Sequence, residues 1–194
     1  MVETDAIQHQ HAFLDLIPLG HVDPLVLSIV GANLQAVLDL PTDITVPRPD
    51  PAYAYLPSRH QYDAVKILKN LTVEESGAPL KLAITAQDLC IPILTYVYGE
   101  SQLGGRAAVV SINRLSHHRS REKTFVRIAK ICIHEMGHIF GLEHCWESSC
   151  LMRFSKQLEQ LDQLPLHFCS ACEYEIARQR KRLLERICPP PVSE

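Results

Sequence analysis

Eleven consecutive residues, His134 to His144, constrain this chain more than any other segment, and they read H-E-x-x-H-x-x-G-x-x-H. On a helix, His134 and His138 lie one turn apart on the same face, so both imidazoles can bind one metal ion. If the helix continued, His144 would lie away from the helix face that carries His134 and His138. Gly141 tolerates the positive φ that commonly ends helices, so the chain can turn back toward the metal there. The motif therefore predicts a helix that stops at Gly141 and three imidazoles around one ion.

These residue types are typical of a catalytic zinc site. Three imidazoles leave a fourth position for water, whereas structural zinc has four protein ligands. Zinc lowers the pKa of a bound water to roughly 7 and polarises a carbonyl. Glu135 lies about 100° round the helix from His134, where it reaches that water better than the metal. It is the candidate base, and later the acid for a leaving amine. A helix with scattered histidines is the simpler interpretation, but five fixed positions in eleven residues rarely arise by chance.

Four cysteines follow the third histidine in two pairs, Cys145 with Cys150 and Cys169 with Cys172. Four thiolates suit a tetrahedral zinc site. The alternative for Cys169-x-x-Cys172 is a redox or disulfide pair, and redox pairs favour a thioredoxin-like context. His144 and Cys145 are adjacent, and neighbours in an extended segment point to opposite sides, so one metal can lie on each side of the backbone. We predict two zinc ions per chain, one catalytic and one structural.

Taken together, these residues resemble the archaemetzincins, a family in the metzincin clan of zinc metallopeptidases. The family pattern is H-E-x-x-H-x-x-G-x-x-H-C, four residues, C-x-M, seventeen residues, C-x-x-C. This chain follows the pattern through Met152 and then has sixteen residues, Arg153 to Phe168, before the last cysteine pair. Segments upstream of the histidines also look like the family, so the resemblance covers about residues 12 to 188; these segments are 85–89, 97–99 and 109–115.

The resemblance implies roles for further residues. Met152 would be the Met-turn residue, an apolar floor beneath the three histidines, and an ordinary core methionine would pack in the same way. Phe154 stands where many metzincins have a tyrosine near the zinc, which leaves the oxyanion stabiliser unassigned. A peptide substrate would extend antiparallel along an edge strand, here Leu94 to Gly99, by strand addition. The alternative is an exposed edge that binds no ligand.

Hydrophobic patterns and turn signals predict an α/β (α+β) fold. Crossover helices imply parallel early strands, and a Gly104-Gly105 turn implies a hairpin with one antiparallel edge strand. We expect a zincin-like, metzincin-type mixed five-stranded sheet with a central active-site helix, a Met-turn and a C-terminal helix. The predicted strands are 12–19, 43–47, 80–85, 93–99 and 106–112, and the predicted helices are 24–39, 57–75, 120–141 and 170–187.

Length and composition bound the organisation and the surroundings. With 194 residues the chain is most simply one domain, with an N-terminal subdomain of about 1–141 and a C-terminal subdomain of about 142–194 that carries the four cysteines. A net charge of −3 gives no general case for nucleic acid. No run reaches the ~20 apolar residues of a membrane span. Met1 to Asp5 lacks a signal-peptide layout. We expect a cytoplasmic monomer that binds neither nucleic acid nor membrane.

The predicted function is zinc-dependent hydrolysis of peptide bonds, in short or unfolded peptides, by Glu135-assisted attack of a zinc-bound water. Two alternatives stay open: a non-catalytic zincin-fold module that binds a peptide or protein, and a zinc hydrolase of a non-peptide amide. Glu135 counts against the first, because a binding module has no need of a base beside the metal. The edge strand favours peptides without excluding the second.

Overall fold

The computed structural model describes residues 12–75, 77–116 and 120–187, so the prediction made on Met1 to Asp5 lies outside the described residues. The strands are β1 Leu14–Leu19, β2 Thr42–Ile44, β3 Tyr55–Leu56, β4 Gln61–Asp63, β5 Leu80–Thr85, β6 Leu89–Ile91, β7 Leu94–Val97, β8 Gly99–Ser101 and β9 Ala107–Ser111. The α-helices are α1 Pro24–Leu38, α2 Ala64–Val73, α3 Arg121–Ile139, α4 Leu158–Gln163 and α5 Ser170–Ile187. No helix among these residues is long and apolar enough to cross a membrane.

The main sheet has the strand order β2-β1-β5-β9-β8. Strands β2, β1, β5 and β9 are parallel, and β8 runs antiparallel to β9 at the edge. Gly104, at φ +64°, lies in the turn of the β8–β9 hairpin, where a left-handed conformation favours glycine. The sheet is therefore mixed and five-stranded with an antiparallel edge, as the pattern predicts.

The structure corrects the position of the edge strand. The pattern predicts one strand over residues 93–99, but only Gly99–Ser101 pairs with β9. Leu94–Val97 pairs instead with β6, at the edge of a second sheet with the order β3-β4-β6-β7. The chain passes from the small sheet to the main sheet at Tyr98, whose carbonyl oxygen accepts a hydrogen bond from the Ser111 amide at 2.8 Å. A continuous run of strand-forming residues carries no signal for such a change of partner.

The long second helix is also shorter than predicted. Residues 57–63 form turns and β4, and α2 begins at Ala64 rather than near Pro57. Asp63 caps the helix, because its Oδ1 accepts hydrogen bonds from the Val65 and Lys66 amides at 3.0 and 3.3 Å. His60, at φ +50°, keeps the preceding residues out of a helix. In the sequence, Asp63 is the residue that indicates this later helix start, because aspartate is a favoured N-cap.

Two apolar cores lie on opposite faces of the main sheet. Helices α1 and α3 pack on one face, against Leu14, Leu16 and Leu82 among others. Helix α2 and the small sheet cover the other face, where Ile17 and Ala83 point. From Arg127 onward α3 is buried on nearly all sides, which confirms its predicted central position.

Two buried basic side chains of α3 fix the segment that follows it. Arg127 is 1% exposed and donates to both carboxylate oxygens of Asp162, at 2.7 and 2.8 Å. Lys130 Nζ donates to the carbonyl oxygen of Leu161 at 2.8 Å. A buried charge is tolerated when it is paired and hydrogen-bonded, so these contacts hold α4 against the active-site helix.

Candidate metal centre and cleft

The three motif histidines converge at the C-terminal end of α3. His134 and His138 lie on the helix, and Gly141 ends it at φ +84°. The Leu142 amide donates back to the Gly137 carbonyl at 3.0 Å, so the chain reverses and brings His144 to the other two. Each imidazole presents one ligand atom, and the three atoms lie within 4.8 Å of one another. We call His134, His138 and His144 the histidine cluster.

Backbone carbonyls orient two of these rings. His134 Nδ1 lies 2.9 Å from the Leu151 carbonyl oxygen, and His138 Nδ1 lies 2.6 Å from that of Leu142. A carbonyl only accepts, so each Nδ1 carries a hydrogen and each neutral Nε2 directs a lone pair into the cluster. Burial lowers the pKa of His134 and His138. Burial and the two neighbouring histidines lower the pKa of His144 to about 4. The lowered pKa values favour neutral imidazoles, which is the form that binds a metal ion.

The spacing of these nitrogens fits zinc. His134 Nε2 and His138 Nε2 are 3.2 Å apart. Tetrahedral zinc with Zn–N bonds of about 2.0–2.1 Å places its nitrogen ligands about 3.3–3.4 Å from each other. Two lone pairs at this separation repel each other unless a cation or a proton lies between them. The donor set is thus the one that a zinc ion with three imidazole ligands requires.

Glu135 is buried beside the histidine cluster and meets the edge strand β8. Ser101 Oγ donates a hydrogen bond to Glu135 Oε2 at 2.5 Å. A Cβ added at Gly99 would come within 2.7 Å of both Cγ and Oε1 of Glu135, so only glycine permits this approach. Burial raises the pKa of Glu135, and the Ser101 hydrogen bond opposes that shift. Burial, with a smaller contribution from the Glu135 charge, also raises the pKa of Glu100 to about 7.

Sequence reasoning missed Gly99 and Ser101. Alternate residues of a strand point to the same face, so both can face Glu135 from β8. A signal was present, since a glycine and a serine two positions apart in an edge strand leave room and supply a donor. It identifies no partner, however, because Glu135 lies more than thirty residues further along the chain.

The four predicted cysteines also come together, and their thiol sulfurs lie within 4.8 Å of one another. Cys145 Sγ and Cys169 Sγ are 3.8 Å apart. Tetrahedral zinc with Zn–S bonds of about 2.3 Å gives a sulfur–sulfur distance of about 3.8 Å. Backbone amides point at two of the sulfurs, from Glu147 to Cys145 and from Cys169 to Cys150, at 3.4 and 3.3 Å. These four residues, Cys145, Cys150, Cys169 and Cys172, form the cysteine cluster, and all four are free thiols here.

Met152 and Phe154 both lie beside residues of the active-site motif. Met152 is fully buried, and its Sδ lies against Gly137, between the two helical histidines. The Phe154 ring is 4.8 Å from the His144 ring, centroid to centroid, and is half-exposed. Its side chain has no hydroxyl, so it buttresses His144 without a hydrogen-bonding role.

An open cleft of about 920 Å³ leads to the histidine cluster and Glu135. It is lined by the edge segment from Leu94 to Ser101, by residues 153–156 and by Trp146, which is 96% exposed. Apolar side chains of Ile131, one turn before His134, and of Leu161 and Leu164 also line it. The cleft therefore combines apolar lining with the polar groups of the histidine cluster.

Comparison with known proteins agrees with this geometry. Peptidase family M54 matches residues 50–178. The archaemetzincin of Haloarcula marismortui is 33% identical over 171 residues, which cover 84% of this chain and 98% of that protein. The crystal structure of the archaemetzincin from Methanopyrus kandleri matches with a TM-score of 0.80 at 31% identity, covering 91% of this chain and 99% of that one. A zinc-dependent peptidase from Methanocorpusculum labreanum matches with a TM-score of 0.76 at 27% identity, covering 84% and 99%.

The fold and the motif thus define a metallopeptidase of the metzincin type. More particularly, the chain belongs to peptidase family M54, and its resemblance to the archaemetzincins is confirmed. The predicted fold class is confirmed by the same crystal structures.

Proposed function

We propose that this metallopeptidase cleaves peptide bonds with one zinc ion bound by the histidine cluster and with Glu135 as the general base. The observation that carries the proposal is the convergence of three neutral imidazoles and one buried carboxylate on an open cleft. When bound, zinc would lower the pKa of a water and polarise the substrate carbonyl. The zinc dependence of the similar Methanocorpusculum labreanum peptidase supports this choice of metal.

Glu135 takes the proton that the attacking water loses. The protonated carboxyl then passes that proton to the leaving amine. Ser101 hydrogen-bonds to Oε2 of this side chain from β8. Removal of this base and acid costs typically about 10²–10⁴-fold in rate.

The substrate lies along the wall of the cleft as an extended chain. Among the described residues, β7 and β8 are each the last strand of their sheets, so each leaves one edge to which a further strand can be added. Strand addition would pair a peptide with this edge. A folded protein seldom offers a free strand, so short or unfolded peptides are the proposed substrates.

The cysteine cluster binds a second, structural zinc ion in this proposal. Four sulfurs leave no open position for a substrate or a water, which is the arrangement of structural sites. The site holds together the segment that carries His144 and Met152. The two ions per chain and the ligand assignments are proposals supported by spacing and donor chemistry.

Hydrolysis of a diverse peptide pool, read by mass spectrometry, tests the function. The zinc-loaded chain should cut peptides, and Glu135→Ala should lose the activity while keeping its zinc. Glu122→Ala is the matched control, because Glu122 is an exposed carboxylate on the same helix, far from its C-terminal end. Equal cleavage by Glu135→Ala would refute the mechanism. If no peptide is cut, the binding module or the hydrolase of a non-peptide amide takes its place.

Organisation and location remain predictions. We propose one domain with subdomains of about 1–141 and 142–194, acting as a monomer in the cytoplasm. Size-exclusion chromatography with light scattering distinguishes a monomer of 21.9 kDa from a dimer.

A further inference from the structure

The proposed base is held from outside its own helix. Glu135 lies on α3, whereas Ser101, which donates to its Oε2, lies on strand β8. At 2.5 Å this is a short, charge-assisted hydrogen bond, a type roughly twice as strong as a neutral one. Glu135 as a whole is 7% exposed, so water offers little competition for the serine hydroxyl.

The position of that hydroxyl is fixed by the hairpin. Ser101 pairs with Ala108 of β9, and the next amide, from Gln102, donates to the Ala107 carbonyl at 3.1 Å. Ala107 and Ala108 are fully buried in the sheet. The Ser101 backbone is therefore set by the main sheet, and the donor has a defined place relative to α3.

Gly99 restrains the other half of the same carboxylate. The position of its missing Cβ lies 2.7 Å from Glu135 Oε1 and 2.7 Å from Cγ, so the side chain rests against the strand backbone. The Ser101 hydroxyl thus binds Oε2, and Oε1 lies against the backbone of Gly99. A glutamate has three rotatable side-chain bonds, and these two contacts select one arrangement of them.

We propose that Ser101 is a positioning residue for Glu135: its hydroxyl binds Oε2 and, together with the close approach of Gly99, holds the carboxylate in one orientation for proton transfer from the attacking water. This inference rests on the proposed function. Ser101 also belongs to the edge strand along which the substrate would pair.

Steady-state kinetics of the zinc-loaded chain on one cleaved peptide test the role. Ser101→Ala should lower kcat about tenfold, as loss of an orienting partner does at such sites, with KM nearly unchanged. Ser101→Thr keeps the hydroxyl and should restore most of kcat. Ser28→Ala is the control, because Ser28 is exposed on α1 and donates only to the Pro24 carbonyl. Zinc content and melting temperature are measured for each variant, so that unfolding or metal loss is recognised.

A double-mutant cycle shows whether Ser101 acts through Glu135. In the Glu135→Ala background, Ser101→Ala should cause no further loss. An unchanged kcat in Ser101→Ala, a loss expressed only in KM, or a further loss in the Glu135→Ala background would each overturn the proposal.

A structural readout separates this inference from the peptidase assignment. In a crystal structure of Ser101→Ala, Glu135 should occupy more than one conformation. A single unchanged conformation would overturn the positioning role, whatever the activity of the parent. A parent that cuts no peptide, with Glu135 disordered only in Ser101→Ala, would refute the peptidase function and retain the contact as a positioning one.

Discussion

Gly137 lies directly against Met152, and a Cβ at position 137 would overlap the methionine sulfur. Met152 is fully buried, so it has no space into which to retreat. Gly137→Ala should therefore destabilise the chain by about 1–3 kcal/mol through overpacking, less the ~1 kcal/mol that alanine gains over glycine in a helix. Thermal unfolding would register this as a lower melting temperature, by roughly 2–4 °C per kcal/mol.

Gly31→Ala is the matched control for this substitution. Gly31 lies inside α1, and nothing approaches the position of its missing Cβ within 4 Å. Alanine there should raise the melting temperature. An increase for both variants would mean that Met152 is not packed against the active-site helix.

Loss of two residues of the cysteine cluster should lower both the zinc content and the stability of the chain. Cys169→Ser with Cys172→Ser removes half of the cysteine cluster, and a structural zinc ion supplies folding free energy. We expect zinc content to fall from two ions to one per chain and the melting temperature to fall with it. Metal analysis after purification without chelator measures the first, and calorimetry the second.

Cys90→Ser serves as the control for that pair, because Cys90 is buried away from the cluster. It should keep two zinc ions. A parent that holds a single ion after reconstitution, or a double variant that melts like the parent, would refute the structural site.

Glu100 should make stability depend on pH. Its pKa rises from 4.5 to about 7 in the folded chain, chiefly because of burial. A raised pKa means that the folded state binds the proton more tightly, so this stabilisation is complete below pH 4.5 and is lost as the pH rises through 7. Glu100→Gln removes the charge, and it should gain melting temperature over the parent at pH 8 but not at pH 5.

For Glu122, the expected dependence of stability on pH has the opposite sign. A hydrogen bond with Ser120 lowers its pKa, so its carboxylate stabilises the fold at neutral pH and loses that effect as the pH falls. Glu122→Gln should therefore melt below the parent at both pH 8 and pH 5, and the difference should shrink only below pH 4.5. Parallel pH curves for parent and Glu100→Gln would contradict the raised pKa of the half-buried Glu100.

Arg59 should influence substrates that reach β7. Its guanidinium donates to the carbonyl oxygens of Leu94 and Thr95 at 2.7 and 2.8 Å, beside a register shift in the β6–β7 pairing. Arg59→Ala removes these hydrogen bonds to the β7 backbone. KM should rise several-fold for peptides long enough to pair with both β7 and β8, while short peptides keep their KM.

Arg178→Ala is a suitable comparison, since Arg178 pairs only locally with Glu175 on α5. Equal effects of Arg59→Ala on long and short peptides would show that β7 does not take part in substrate binding.

Local patterns made the histidine cluster predictable, and non-local pairing limited the prediction of the other elements. His134, His138 and Gly141 follow from helix periodicity and a glycine at a helix end, which depend on near neighbours only. The exchange of sheets at Tyr98 depends on β6, a strand of three residues with too little pattern to predict. The start of α2 was readable from Asp63, whereas the contact of Ser101 with Glu135 arises only when hairpin and helix pack together.

The adjacency of His144 and Cys145 should make metal binding at the histidine cluster and at the cysteine cluster interdependent. One peptide bond joins a residue of the first cluster to a residue of the second, and the Cys145 amide donates to the Met152 carbonyl at 2.9 Å. Binding of an ion at one cluster orders this dipeptide, so binding at the other cluster loses less conformational entropy. Thermodynamic linkage makes the effect reciprocal. Filling the cysteine cluster should therefore tighten zinc binding at the histidine cluster, by the same factor in both directions.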